Sequence, residues 1–173
     1  MDRLGFIHEK LDIKILILFV LRRLPEAVDA ETLAELVLCD DGISYFDYVE
    51  CLAELEQTGH ITLEGHRYKI TEKGDHNGGA IESSLPYSVR KKAERLLSPV
   101  AGKMRRNALI KTAHTVSRDG ACTLELGLSD GCGEILSVRM LVPGEEQARK
   151  MEQHFRTRAE AMYDSFVQLL SEE

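Results

Sequence analysis

"LEQTGHITLEGHRYKITEKG", residues 55–74, decides how the first half of the chain folds. Leu55 closes an apolar helical stripe, and Gly59 follows as the residue that lets a helix end in the left-handed conformation. Residues 61–63 and 67–70 then alternate apolar and polar side chains around the turn Glu64-Gly65-His66, the pattern of a short β-hairpin. Upstream, Ser44 is an N-cap with Asp47 three residues on, a spacing close to that of a capping box. That helix is expected to bury Phe46, Val49, Leu52, Ala53 and Leu55.

Two helices precede it. The first spans residues 11–24 and stops at Pro25. Its run "ILILFVL", residues 15–21, is apolar on nearly every side, which places it in the middle of a core. Asp29 caps the second, "AETLAELVL", with Leu33, Leu36 and Val37 on one face. Three helices followed by a β-hairpin predict a winged helix-turn-helix over residues 1–80.

Beyond the hairpin, "GDHNGGAIESS" holds three glycines, each costing a helix about 1 kcal/mol relative to alanine. It reads as a frayed link to a basic helix over residues 86–97, started by Pro86, within a linker region 81–106. Residues 109–117, 122–128 and 134–142 then read as three strands joined by "RDGA" and "SDGCG". Asp-Gly between alternating runs marks a hairpin, so residues 107–173 are expected to form an antiparallel meander covered by a helix over residues 145–170. The fold class is α+β. The last helix would be roughly 40 Å long, against ~23 Å for a seven-residue strand. Its apolar stripe, with Met151, Phe155, Met162 and Phe166, overhangs its own sheet and calls for a second copy of the chain. The alternative interface is the first helix.

At 173 residues, 43% hydrophobic and 29% charged, the chain suits one medium or two small globular domains. The apolar run is too short to span a bilayer and has no signal-peptide cleavage pattern. Cys39, Cys51, Cys122 and Cys132 form no CxxC pair, which argues against a zinc ribbon and for reduced thiols in a cytoplasm. Charge is polarised. Residues 1–80 hold eight Lys/Arg against sixteen Asp/Glu, whereas residues 85–118 hold nine Lys/Arg and one acid, Glu94.

The pieces "CLAELEQTGHI", "RYKITEKG" and "LPYSVRKKAERLL", in this order and spacing, resemble a family of small uncharacterised bacterial winged-helix proteins described as transcriptional regulators. The first two pieces also resemble winged helices of the PadR and MarR kinds; the Leu-Pro before a basic helix is more discriminating. The resemblance implies a cytoplasmic, dimeric winged-helix protein that binds double-stranded DNA, and it supplies no catalytic residues. Relatives of this kind continue a helix after the wing, where this chain has "DHNGG".

The charge pattern bears on that expectation. Duplex affinity comes largely from Lys and Arg at phosphates, and bases are read best by Arg, Lys, Asn and Gln. The outward face of the third helix is expected to carry Ser44, Tyr45, Asp47, Tyr48 and Cys51, with no cation. Cationic help comes from the wing, through His66, Arg67, Lys69 and Lys73, and from phosphate contacts by Arg90, Lys91, Arg95, Lys103, Arg105 and Arg106. Two other readings stand beside it: a winged helix kept as a protein–protein module without DNA contact, and a basic helix docked on the acidic first domain. No enzyme motif is present. The six histidines are scattered without a His-Glu-x-x-His, and "GDHNGG" lacks the Gly-Lys-Ser/Thr of a P-loop. No cofactor or metal is expected, the second part is expected to dimerise and is a candidate sensor of a small-molecule effector of unknown identity, and His114 is expected to face Glu125 across a hairpin.

Overall fold

The computed structural model describes residues 5–171, which form six α-helices and two three-stranded antiparallel sheets. They divide into two compact units, with the boundary between Met104 and Arg105. None of the helices among the described residues is long and apolar enough to cross a membrane.

The first unit is built around α1, Lys10–Arg23, whose residues 15–21 are all buried. After it come β1 (Val28–Asp29), α2 (Ala30–Val37), α3 (Tyr45–Gln57), β2 (Ile61–Glu64) and β3 (Arg67–Ile70). Asp29 caps α2 by accepting from the Thr32 backbone N–H at 2.8 Å, which holds its carboxyl below the usual range. The sheet order is β1-β3-β2, with Val28 opposite Tyr68 and Ile61 opposite Ile70. A two-residue pairing such as β1 leaves no periodicity to read.

Gly65 and His66 join β2 to β3 with φ of 55° and 67°. Two positive φ values in a two-residue hairpin are those of a type I′ turn, whose twist matches that of the strands. Glycine adopts this left-handed region freely; His66 bears strain there.

The inward face of α3 differs from expectation. Tyr48, Cys51, Leu52 and Leu55 are buried, whereas Phe46 and Val49 are exposed and Ala53 points to solvent. The helix carries two overlapping stripes, and the one at spacings of three, four and seven meets α1. Ion pairs Lys10–Glu50 (2.6 Å) and Lys14–Glu54 fix this rotation, with the Cys51 thiol donating to the Lys10 carbonyl at 3.4 Å.

Residues 72–81 are a helix, α4 (Glu72–Ile81), rather than a frayed link. Its glycines fit a tight approach. A Cβ on Gly78 would lie 3.1 Å from Leu18 Cβ, and one on Gly74 would lie 2.0 Å from the His60 carbonyl oxygen. Thr71 caps the helix by accepting from the Gly74 N–H at 3.1 Å. Asp75 and Glu82 then receive Arg22 at 2.8 and 2.7 Å, and Glu82 also takes Arg23 at 3.0 Å. Arg23 and then Arg22 hold the Glu82 carboxyl below its ordinary range.

The basic helix, α5 (Tyr87–Ala108), is longer than expected and is not a free linker. Leu85 before it and Val89, Ala93, Leu97 and Ala101 along it are buried in the first core, and Pro99 lies within it.

The second unit is a meander, β4 (Ile110–Val116), β5 (Cys122–Ser129) and β6 (Glu134–Val142), in that order. Leu124, Leu126 and Leu128 on β5 are buried against α6 (Glu145–Ser171), which supplies Ala148, Phe155 and Ala159. Arg158 leaves helical geometry (φ −132°, ψ 17°), so α6 is kinked there. His114 does not face Glu125. It pairs with Leu124 in register, its side chain meets Glu152 at 3.0 Å on α6, and Glu125 meets Arg139 at 3.3 Å.

Candidate functional site

α3 presents an apolar and acidic face to solvent. Tyr45 and Phe46 are 66% and 76% exposed, beside exposed Val49, and the helix carries no Lys or Arg. Its carboxylates Glu50 and Glu54 are committed to α1; Lys14 draws the Glu54 carboxyl below its usual range. Of the five residues expected to face a groove, Ser44 caps the helix, accepting from the Asp47 N–H at 3.1 Å and donating to the Asp47 carboxylate at 2.7 Å. Tyr45 projects outward.

Tyr48 and Cys51 are in the core, 2% and 0% exposed, which removes them as reading residues. Burial pushes both the phenol and the thiol up. The Tyr48 hydroxyl has no hydrogen-bond partner among the described residues.

The hairpin offers His66, Arg67 and Lys69, all exposed. Lys73 stands on the first turn of α4, where its ammonium donates to the Thr58 carbonyl at 2.7 Å, closing the end of α3. Beside it His60 lies between Thr58 Oγ1 (Nδ1, 2.8 Å) and the Asn77 amide nitrogen (Nε2, 3.0 Å). The Asn77 nitrogen only donates, so Nε2 accepts and Nδ1 carries the proton. Burial first, then Lys73 and Lys14, lower the His60 pKa.

The expected phosphate contacts separate into committed and open side chains. Lys91 is held by Glu94 at 2.9 Å; Arg90 is half-buried, with its guanidinium 6.0 Å from the Tyr87 ring. Arg106 is forked onto Glu160 at 2.8 and 2.6 Å and donates to the Arg156 carbonyl. Arg95, Lys103 and Arg105 are exposed, and so is Lys92, which sequence reasoning passed over. At 100° per residue Lys92, Arg95 and Lys103 fall within about 80° of one another, a signal present in the sequence.

On α6, Phe155 is 1% exposed inside its own unit and is unavailable to a partner. Met151 and Met162 are half-buried, and with Phe155 and Phe166 they line a groove of about 470 Å³ between α6 and the sheet. The exposed apolar end is Phe166, Val167, Leu169 and Leu170, the last 86% exposed. Val167 and Leu170 lie off the single three-four-seven line of Met151, Phe155, Met162 and Phe166, so that line does not reveal them.

Cys122 and Cys51 are buried, Cys39 is half-buried and Cys132 is exposed; all four are unpaired. Among the described residues, no three His, Cys, Asp or Glu side chains converge as a metal site.

The fold is thus a mixed α+β chain of two units, one helical with a small sheet, the other a meander under a helix. The family model of the domain of unknown function DUF4364 matches residues 13–170, and the chain belongs to this family. Searches of curated proteins and of solved structures gave no match.

Proposed function

We propose that the first unit is a winged helix-turn-helix and that the protein is a DNA-binding transcriptional regulator acting as a dimer. One observation carries the reading. The element order is helix, short strand, helix, helix, hairpin, and the short strand before α2 pairs with the second hairpin strand to give β1-β3-β2. That arrangement leaves α3 and the hairpin tip as the parts free to approach a duplex. In this reading His66, Arg67 and Lys69 form the wing contact, and Lys92, Arg95 and Lys103 lie along phosphates. α3 contributes Tyr45 and Ser44 rather than charge, so phosphate neutralisation dominates affinity and salt weakens it steeply. The dimer is assigned to the exposed end of α6, Phe166, Val167, Leu169 and Leu170. The reading assigns no catalytic step.

A specific observation favours a second reading, a winged-helix protein–protein module without direct DNA contact. Tyr45, Phe46 and Val49 form an exposed apolar cluster flanked by carboxylates, and aromatic residues are enriched at protein interfaces. Recovery of DNA crosslinked to the tagged protein across the genome separates the two. Discrete sites lost in an Arg67→Glu/Lys69→Glu variant support the regulator. Uniform background in wild type, with a partner protein released by Phe46→Glu, supports the module.

A further inference from the structure

The second unit contains a groove of which the regulator reading uses only Phe166, at the end shared with the dimer contact. It has a volume of about 470 Å³ and lies between the inner face of β5 and β6 and the kinked helix α6. Its floor and walls are Leu126, Val138, Met140, Met151, Phe155, Met162 and Phe166. The remaining lining residues are Lys150, His154 and Arg158, so every polar side chain at the groove is basic and none is acidic.

These three stand at intervals of four along α6, one stripe over from the methionines and phenylalanines. Lys150 has an exposed partner, Glu146, at 2.7 Å; the side chains of His154 and Arg158 have no ion-pair partner among the described residues. The kink at Arg158 falls at this lip. Three methionines in the lining give it walls that adapt to the shape of an occupant.

We infer that this groove binds a free amphipathic anion, a molecule with a compact or medium-chain apolar body and one carboxylate-like head. The volume lies in the range of small-molecule sites, which are mostly apolar with a few placed polar groups. The apolar body takes the place of water against Leu126, Val138 and the methionines, and the head meets Arg158, with Lys150 and His154 beside it. An uncharged apolar molecule leaves the cationic lip unused. A cationic amphiphile meets like charge there.

The inference concerns the second unit alone and stands or falls independently of DNA binding. The probe is decanoate, below its micelle-forming concentration, added to the full-length protein carrying ¹³C-methyl methionine. Expected is a saturable shift of the Met140, Met151 and Met162 methyl signals, with weaker binding by decanol and none by decyltrimethylammonium. Lys150→Gln with Arg158→Gln changes only exposed side chains and should weaken decanoate about tenfold or more. Arg156→Gln, on the same helix but outside the groove, should leave affinity unchanged. Methyl shifts of equal size with decyltrimethylammonium, or equal affinity in the double variant, would overturn the inference. So would methyl signals that move with protein concentration and ignore decanoate, because a second copy of the chain would then fill the groove.

Discussion

Replacing Gly74 by alanine sets two opposite effects against each other. In an exposed helix the change stabilises by about 1 kcal/mol. At Gly74 the new Cβ would lie 2.0 Å from the His60 carbonyl oxygen and 2.9 Å from Ile70 Cγ1, whereas real contacts of this kind stay above 3.0 Å. The start of α4 therefore has to retreat by about 1 Å from the strand end. That oxygen also accepts from the Thr71 N–H at 3.1 Å and the Thr71 hydroxyl at 3.0 Å, so retreat strains the cap too. Overpacking costs about 1–3 kcal/mol and a damaged cap about 1 kcal/mol. The balance is a loss of about 2 kcal/mol, or about 1 M in urea midpoint for a slope near 2 kcal/mol/M.

Gly102, in α5, is the control. Nothing lies within 4 Å of its added Cβ, and alanine there should gain about 0.5–1 kcal/mol. Both positions are in the first unit, so one transition followed by circular dichroism reports both. A Gly74→Ala protein as stable as wild type would refute the tight-contact account of why α4 contains glycines.

Other substitutions test other parts. Tyr48→Phe removes a buried hydroxyl without a partner among the described residues and should stabilise by about 1 kcal/mol, whereas Tyr48→Ala should cost about 3–5 kcal/mol by leaving a cavity; urea melts decide. His60 has a lowered pKa, so the unfolded chain binds its proton first on acidification. Stability should be level above about 6.5 and fall as pH drops from there through the lower folded value, and His60→Gln should flatten that part of the stability–pH curve. Glu82 has a lowered pKa, so its contribution is present above the unfolded carboxyl value of about 4.3 and is lost as pH falls through the lower folded value. Glu82→Gln should blunt the acid limb of the same curve. Cys132 should alkylate first and Cys51 and Cys122 only on unfolding, as timed mass spectrometry will read; simultaneous labelling of all four would contradict their burial.

Much of the fold was legible where one force dominated. The run from Ile15 to Leu21 has no polar face to leave outside, so its place in the core followed from the sequence. Ser44, Asp29 and Gly59 marked helix ends because capping is a local matter. Asp-Gly and alternation placed the three strands of the meander. The orientation of α3 was less accessible. Tyr48 and Cys51 carry polar groups, yet their apolar bulk follows the stripe that packs on α1, and the deciding ion pairs link residues about forty positions apart. α4 was hidden for a similar reason: helix propensity penalises glycine, but here the missing side chain admits His60 and Leu18. The expected site was partly legible. Arg67 and Lys69 were readable as exposed cations of the hairpin, whereas the pairing of Lys91 with Glu94 and of Arg106 with Glu160 emerges only from side-chain geometry.

The break at Arg158 divides α6 into segments of different cooperativity. Before it, Ala148 and Phe155 tie the backbone to the sheet; beyond it, Ala159 alone is fully buried. Amides of residues 149–157, past the unbonded first turn, should exchange hydrogen only when the second unit opens, and those from about 162 onward should exchange through local fraying. Binding at the helix end would then be read as newly slowed exchange in that last segment. The distal half of α6 would then serve as a built-in meter of occupancy, its helicity rising when a partner covers Phe166 and Leu170.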